Sequence, residues 1–312
     1  MSDLTNLLKL LIQNEESNKK ELTIIEAERL FLNYIEIKNT PQTLKFYKTE
    51  FNCLKKYYKL YNITSTSQLN NDFATKLINE KRKEKVKDNT INKLIGSIKA
   101  MLNFLIKEKY INENKLTLEK IKTQESKIII PSSEEIKIIK NYFDNKAPLE
   151  YKLMFYLIID TGLRRSSIAN LLLTDINLNE QSIIPSHMKE HNEIKVFFGT
   201  STKELIQEFI NQKKKLKSKY LFPSKNPKKP IEASTISKIF ISIRTELDIP
   251  SLSPHRLRHY FGTNLIKNNV NPEIVRKLLG HSSLYMTQRY INLNDNDLKQ
   301  ASLKNSLADK LK

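Results

Sequence analysis

The sequence predicts a mainly α-helical chain with a small antiparallel β-sheet, divided into two domains. Three observations carry this reading. The 312 residues exceed one ordinary domain of about 100–200 residues. Apolar residues recur at three- and four-residue steps over most of the chain, and only five glycines interrupt them. One stretch, Asp175 to Gly199, instead alternates β-branched and aromatic residues with polar ones.

At the N-terminus, Leu4, Leu7, Leu8 and Leu11 fall at helical spacing within Asp3 to Gln13, as a short helix or docking arm. Asn14 to Lys20 is polar, so 1–23 reads as arm and linker. A helical bundle of four or five helices is expected over 24–121. Its first stripe is Ala27, Leu30, Phe31 and Tyr34. Thr40-Pro41 is a cap followed by a first-turn proline, and it opens a second stripe of Leu44, Tyr47, Phe51, Leu54 and Tyr58. A third helix covers Asp72 to Lys85. A fourth begins at Asn89 or Thr90 and turns Ile91, Leu94, Ile98, Met101, Leu102 and Leu105 inward.

Residues 122–133 (KTQESKIIIPSS) form a linker that ends in a helix start, with Ser132 or Ser133 as cap and Glu135 in an acidic first turn. The second domain spans 134–296. Its apolar helix Tyr151 to Ile159 ends before Gly162. Ile183 and Ile184, then Ile194, Val196 and Phe198 in alternation with Lys195 and Phe197, predict a hairpin near Lys189. Helices follow. In 297–312, Leu298, Ala301, Leu307 and Leu311 form a last amphipathic helix.

The formal net charge is +19, with a pI of about 9.6. It is spread along the chain, +8 over Met1 to Ile130 and +11 over the rest. An anionic partner follows, with DNA or RNA first. An AT-rich genome also enriches Lys, but it does not place Arg and His in motifs. Cys53 is the only cysteine, which excludes an internal disulfide and a Cys-rich zinc site. With no leader pattern and no apolar run near 18 residues, the expected location is the cytoplasm, with no membrane.

Three segments carry chemistry: Thr161 to Arg164 (TGLR), Ser253 to Asn264 (SPHRLRHYFGTN) and Leu279 to Tyr290 (LGHSSLYMTQRY). Ser253 is a good N-cap and Pro254 suits the first helical position. His255 and Arg258 then share a face of a helix N-terminus, where an anion is favoured. Gly162 would end one helix and turn Arg164 inward, and a planar guanidinium reads two phosphate oxygens. Gly280 would cap the helix Pro272 to Leu279. A tyrosine such as Tyr290, with a free pKa of about 10, becomes a nucleophile only in a cationic pocket with a proton acceptor.

Over roughly Ser132 to Asn294 these segments resemble the tyrosine recombinase (phage integrase) family, and the chain looks like a simple Xer-like member. The resemblance implies a helical core-binding (SAM-like) DNA-binding domain over 24–121 and a mixed α/β catalytic domain over 134–296. It implies that Tyr290 attacks a DNA phosphate to give a 3′-phosphotyrosine, and that strands are exchanged through a Holliday junction. Arg164 and Arg258 would clamp the phosphate, His255 would act as general acid/base, and His281, nine positions before Tyr290, would assist. Lys189 would protonate the leaving 5′ oxygen, with Lys195 as the fallback. Tyr285 stands at the wrong place in the motif. Two departures are Ser167, where the family often has an acid, and Met286-Thr287, where it commonly has paired Thr.

The implied partner is double-stranded DNA, held by a homo-tetramer or by a hetero-tetramer with a second recombinase. The tail 297–312 would be exchanged between protomers. Candidate DNA contacts are Thr43, Lys45, Lys48, Thr90, Lys93 and Arg165. Arg256 and His259 match no catalytic position and read as DNA-backbone contacts or solvated side chains. His187 to His191 matches an inverted zinc-protease motif, but its flanks read as strand and turn rather than the required helix. No metal and no cofactor are expected. The residues before Ile24 are too few for an extra arm-type domain, which favours dimer resolution or a compact mobile-element integrase. The alternatives are a type IB topoisomerase and a DNA-binding protein without catalysis.

Overall fold

A computed structural model describes residues 21–123, 129–186, 194–213 and 218–280. The chain divides into two compact units, Met1–Glu125 and Ser126–Lys312. The described residues form eleven α-helices and one three-stranded sheet.

The first unit is a bundle. α1 (Ile24–Lys38) starts at a Thr23–Glu26 capping box. α2 (Pro41–Leu60) starts at Thr40, with Pro41 at its first position as the sequence predicts. α3 (Asn71–Lys83) is capped by Asn70 and stops short of Lys85, which takes a left-handed φ of 57°. α4 (Asp88–Lys107) begins ahead of Asn89, with Lys87 at the cap position and no side-chain cap bond. Asp88, in the first turn, accepts from Arg82 at 3.1 Å. The expected stripes meet in one core: Ala27, Phe31, Phe51, Leu54, Ile91, Ile98, Met101 and Leu105 are all buried. The stripe reading missed Tyr57, which is fully buried with its hydroxyl on Glu84 at 2.7 Å.

In the second unit, α5 (Ser133–Asn145) starts at a Ser132–Glu135 capping box. α6 (Leu149–Thr161) is largely apolar, so most of its surface must be covered. Leu153, Met154, Phe155, Leu157 and Ile158 are each fully buried, a term of about 1.5–3 kcal/mol per side chain. After the short α7 (Arg165–Ala169), strands β1 (Ile176–Asn177), β2 (Ser182–Ile183) and β3 (Val196–Phe197) pair antiparallel in that order. Then come α8 (Thr200–Lys213), α9 (Ala233–Leu247), α10 (Pro254–Lys267) and α11 (Pro272–Leu279). Helices α5, α7, α8 and α10 and strand β3 all pack on α6. That central position fixes where the C-terminus of α6 emerges.

Candidate active site

The site is built around the C-terminal ends of two helices. α6 ends at Gly162, whose φ of 65° is left-handed. A Cβ there would run into the Phe261 ring of α10 and lie 3.1 Å from Leu279. Glycine is required both for the turn and for the close packing. Thr161 steadies the same turn, since its buried hydroxyl donates to the Leu157 carbonyl and accepts from Leu163 N–H at 3.2 Å. The neighbouring Asp160 accepts from Gly199 N–H at 2.6 Å and from the Thr202 hydroxyl at 2.7 Å. The turn that carries Arg164 is thereby tied to the start of α8.

α11 ends in the same way. Gly280 takes a left-handed φ of 57°, and a Cβ on it would collide with Ile194 and lie 3.6 Å from Arg164 Nη1. Arg164 stands at the N-cap of α7, half-buried, and its Nη2 donates to the Gly280 carbonyl at 2.9 Å.

Arg258 completes the arrangement from α10. That helix starts as the sequence predicts: the Ser253 side chain accepts from Arg256 N–H at 3.3 Å, and Pro254 follows. Arg258 is only 5% exposed. Its Nη1 donates to the Gly162 carbonyl and its Nη2 to the Leu279 carbonyl. One guanidinium thus bridges the ends of α6 and α11, where helix dipoles favour a cation. The two arginines are oriented by main-chain carbonyls.

His255 lies one turn before Arg258 on α10. It is exposed on its outer side, but its Nε2 lies 2.8 Å from Nε2 of His259, with the rings 4.3 Å apart and nearly perpendicular at 84°. Its pKa is held below the usual histidine value, first by desolvation and then by the charges of Arg258, Arg165 and Arg164. The ring is therefore biased to the neutral form.

One expectation is corrected. His259 is neither solvated nor an outward-facing side chain; it is 6% exposed and bonded to His255. The signal was the four-residue spacing, which places both rings on one helix face. Arg256 is engaged within the protein, donating to the Pro250 carbonyl at 2.6 Å. Ser167, at the position often acidic in the family, is buried in α7. Arg165 is exposed and donates to the Ser237 hydroxyl of α9.

Lys189, His281 and Tyr290 lie outside the described residues, as do Tyr285, His187 and His191 and the helices expected at 3–13 and 297–312. The entry to the Lys189 segment is described. Ser186 donates to the buried Asp175, which also accepts from Leu172 N–H at 2.9 Å. Lys195 is paired with Glu180 at 2.6 Å. Among the described residues, no group of three or more His, Cys, Asp or Glu side chains stands together to hold a metal. No described helix is long and apolar enough to cross a membrane.

In the first unit, Lys45, Lys48, Thr90 and Lys93 are exposed, while Thr43 is half-buried with its hydroxyl 3.1 Å from that of Thr40. Burial raises the pKa of Glu50 on α2, and Lys93 on α4 pulls it back down, so those helices present Lys93 near Glu50.

Residues 114–297 match the Phage integrase family. Tyrosine recombinase XerD of Pasteurella multocida is 27% identical over 293 residues, covering 90% of this chain and 96% of the relative. Tyrosine recombinase XerD of Rickettsia prowazekii is 30% identical over 237 residues, covering 70% and 76%. Among solved structures, the Tn1549 transposon integrase in complex with a circular intermediate DNA superposes with a TM-score of 0.73 at 17% identity, covering 89% of this chain and 98% of that one. A lambda integrase dimer bound to a COC′ core site gives 0.71 at 16% identity, covering 89% and 80%. These two structures share the fold.

Proposed function

The chain belongs to the phage integrase family and is a site-specific tyrosine recombinase of the Xer-like type, and from that premise we propose that Tyr290 is its nucleophile on double-stranded DNA. The Tyr290 oxygen bonds to the scissile phosphorus, the bond from phosphorus to the 5′ oxygen breaks, and a 3′-phosphotyrosine remains. His255 accepts the tyrosine proton, assisted by His281. Lys189 gives a proton to the departing 5′ oxygen. Arg164 and Arg258 neutralise the non-bridging oxygens, the largest stabilising contribution in such a step. One phosphate ester replaces another, so neither ATP nor a metal is needed, and the reverse attack by a 5′ hydroxyl rejoins DNA.

The convergence of Arg164, His255 and Arg258 at the ends of α6 and α11 carries this reading. Both guanidiniums are already oriented by carbonyls, so little reorganisation is left for the moment of reaction. The ion pair of Lys195 with Glu180 favours Lys189 as the acid, as does the anchoring of Ser186 on Asp175.

On this reading the first unit grips DNA through Thr43, Lys45, Lys48, Thr90 and Lys93, with Arg165 adding a contact near the site. Four protomers, identical or shared with a second recombinase, exchange strands through a Holliday junction and trade C-terminal tails. The setting is the cytoplasmic nucleoid, and the task is dimer resolution or mobile-element integration and excision.

The test is covalent capture. Wild type and Tyr290→Phe are incubated with fragmented genomic DNA of the source organism, denatured, and the attached DNA sequenced. One enriched site with wild type alone is expected. Attachment that persists in Tyr290→Phe would overturn the nucleophile assignment. In a parallel incubation with a supercoiled plasmid, relaxed circles without joined sites would point to a topoisomerase instead.

A further inference from the structure

We infer that His259 is a positioning residue for His255, holding its Nε2 edge through a hydrogen bond so that Nδ1 is the nitrogen left to handle the substrate proton. This rests on the reading of His255 as the general acid/base.

The geometry limits the possibilities. Two Nε2 atoms 2.8 Å apart have room for one proton between them. The perpendicular rings exclude parallel stacking, and the edge contact brings the two nitrogens together. His259 is buried at 6% exposure, so its ring is held by the protein, while His255 is the exposed member. The buried ring therefore sets the orientation of the exposed one.

Chemistry then assigns the donor. When His255 accepts a proton, both of its nitrogens carry hydrogen. Its Nε2–H must then donate to His259, which accepts at Nε2 only while neutral and protonated at Nδ1. The neutral pair already matches this state if His255 carries its single proton on Nε2. Its Nδ1 lone pair is then a base, and protonation turns the link into a stronger, charge-assisted bond. Among the described residues, the charged groups acting on His255 are the cations Arg258 on its own helix and Arg165 and Arg164 from the start of α7. Each disfavours the imidazolium. The bond to His259 is the contact that opposes them, which is why a neutral acceptor suits this position better than another cation. The two imidazoles act as one unit that takes up a single proton, with His259 orienting and His255 exchanging.

The test separates this claim from the recombinase reading. Imidazole nitrogens of His255 are titrated by NMR in ¹⁵N-histidine-labelled protein without DNA, with His255→Gln identifying the signals. Wild type is expected to show neutral His255 as the Nε2–H tautomer. His259→Phe is expected to lower its titration midpoint by about one pH unit, the scale of one charge-assisted hydrogen bond. The yield of covalent adduct on fragmented genomic DNA should fall about tenfold. His259→Gln carries a polar atom near the Nε2 position and should restore both, whereas the shorter His259→Asn should not. Thermal melting of each variant shows which are folded. If Phe fails to fold, the wild-type tautomer and the Gln–Asn contrast decide. An Nδ1–H tautomer in wild type, or equal behaviour of folded Gln and Asn variants, would overturn the inference. An absence of adduct in wild type would count against the general acid/base reading, and the titration would still decide the pairing.

Discussion

Arg258 and Gly162 are joined by a hydrogen bond from guanidinium Nη1 to the carbonyl that follows α6, while Nη2 of the same group holds the Leu279 carbonyl at the end of α11. The side chain we propose as a phosphate clamp is thus also the clip between two helices. The proposed phosphate-binding role and the structural role cannot be removed separately by truncation, and a lysine cannot replace both arms of the fork.

Arg258→Ala leaves two carbonyls without this donor, at about 1–3 kcal/mol for each buried group. We expect lower stability in urea denaturation together with loss of covalent adduct. Arg258→Lys should recover part of the stability, yet stay at least about a hundredfold down in adduct yield, because one ammonium cannot present a bidentate fork. An Arg258→Lys variant with wild-type yield would rule out the bridging geometry as a requirement.

Gly280→Ala combines a strained left-handed backbone with a Cβ driven into Ile194 and close to Arg164. The expected cost is about 1–3 kcal/mol, and the displaced Gly280 carbonyl should release Arg164. Melting temperature and adduct yield should fall together, whereas Gly96→Ala, with nothing within 4 Å of the new Cβ, should leave both unchanged.

Asp175→Ala removes the acceptor for Leu172 N–H and the Ser186 hydroxyl at the root of the segment that carries Lys189. We expect a loss of about 1–3 kcal/mol and an adduct yield that falls more than DNA affinity does in a binding titration. Equal losses in affinity and yield would mean that this anchor serves binding alone.

Glu28 gives a pH prediction in the first unit. It is 8% exposed, and its Oε1 meets no hydrogen-bond partner among the described residues. Desolvation raises its pKa above the usual glutamate value, partly opposed by Lys55. The folded state therefore holds the proton to higher pH than the unfolded one. Its contribution to stability is fully present below the unfolded value near 4.5 and is lost as pH rises through the folded value. Glu28→Gln should remove that decline, and Glu28→Leu should raise stability at pH 7 by about 1–3 kcal/mol. Parallel stability-versus-pH curves for wild type and Glu28→Gln would show that Glu28 is solvated.

The sequence by itself determined what acts within a few residues. Thr40-Pro41, Ser132 with Glu135 and Ser253-Pro254 start helices because capping joins a side chain to backbone three positions on. Gly162 and Gly280 end helices because their left-handed backbone is cheap only for glycine. The order of the motifs likewise points to the family. The fourth helix, expected to begin at Asn89 or Thr90, begins one residue earlier at Asp88 and has no side-chain cap to mark it.

Tertiary structure decided which distant groups meet. The carbonyl held by Arg258 Nη1 lies 96 residues away, and the one held by Arg164 lies 116 residues away. No periodicity encodes such pairings, because they follow from how α10 and α11 close on the apolar α6. The same closure buried His259 against His255. Glu180 took up Lys195 only because β1, β2 and β3 brought the two to one surface. Local hydrogen bonding wrote the elements and their ends into the sequence, whereas the burial of one largely apolar helix set the geometry of the site.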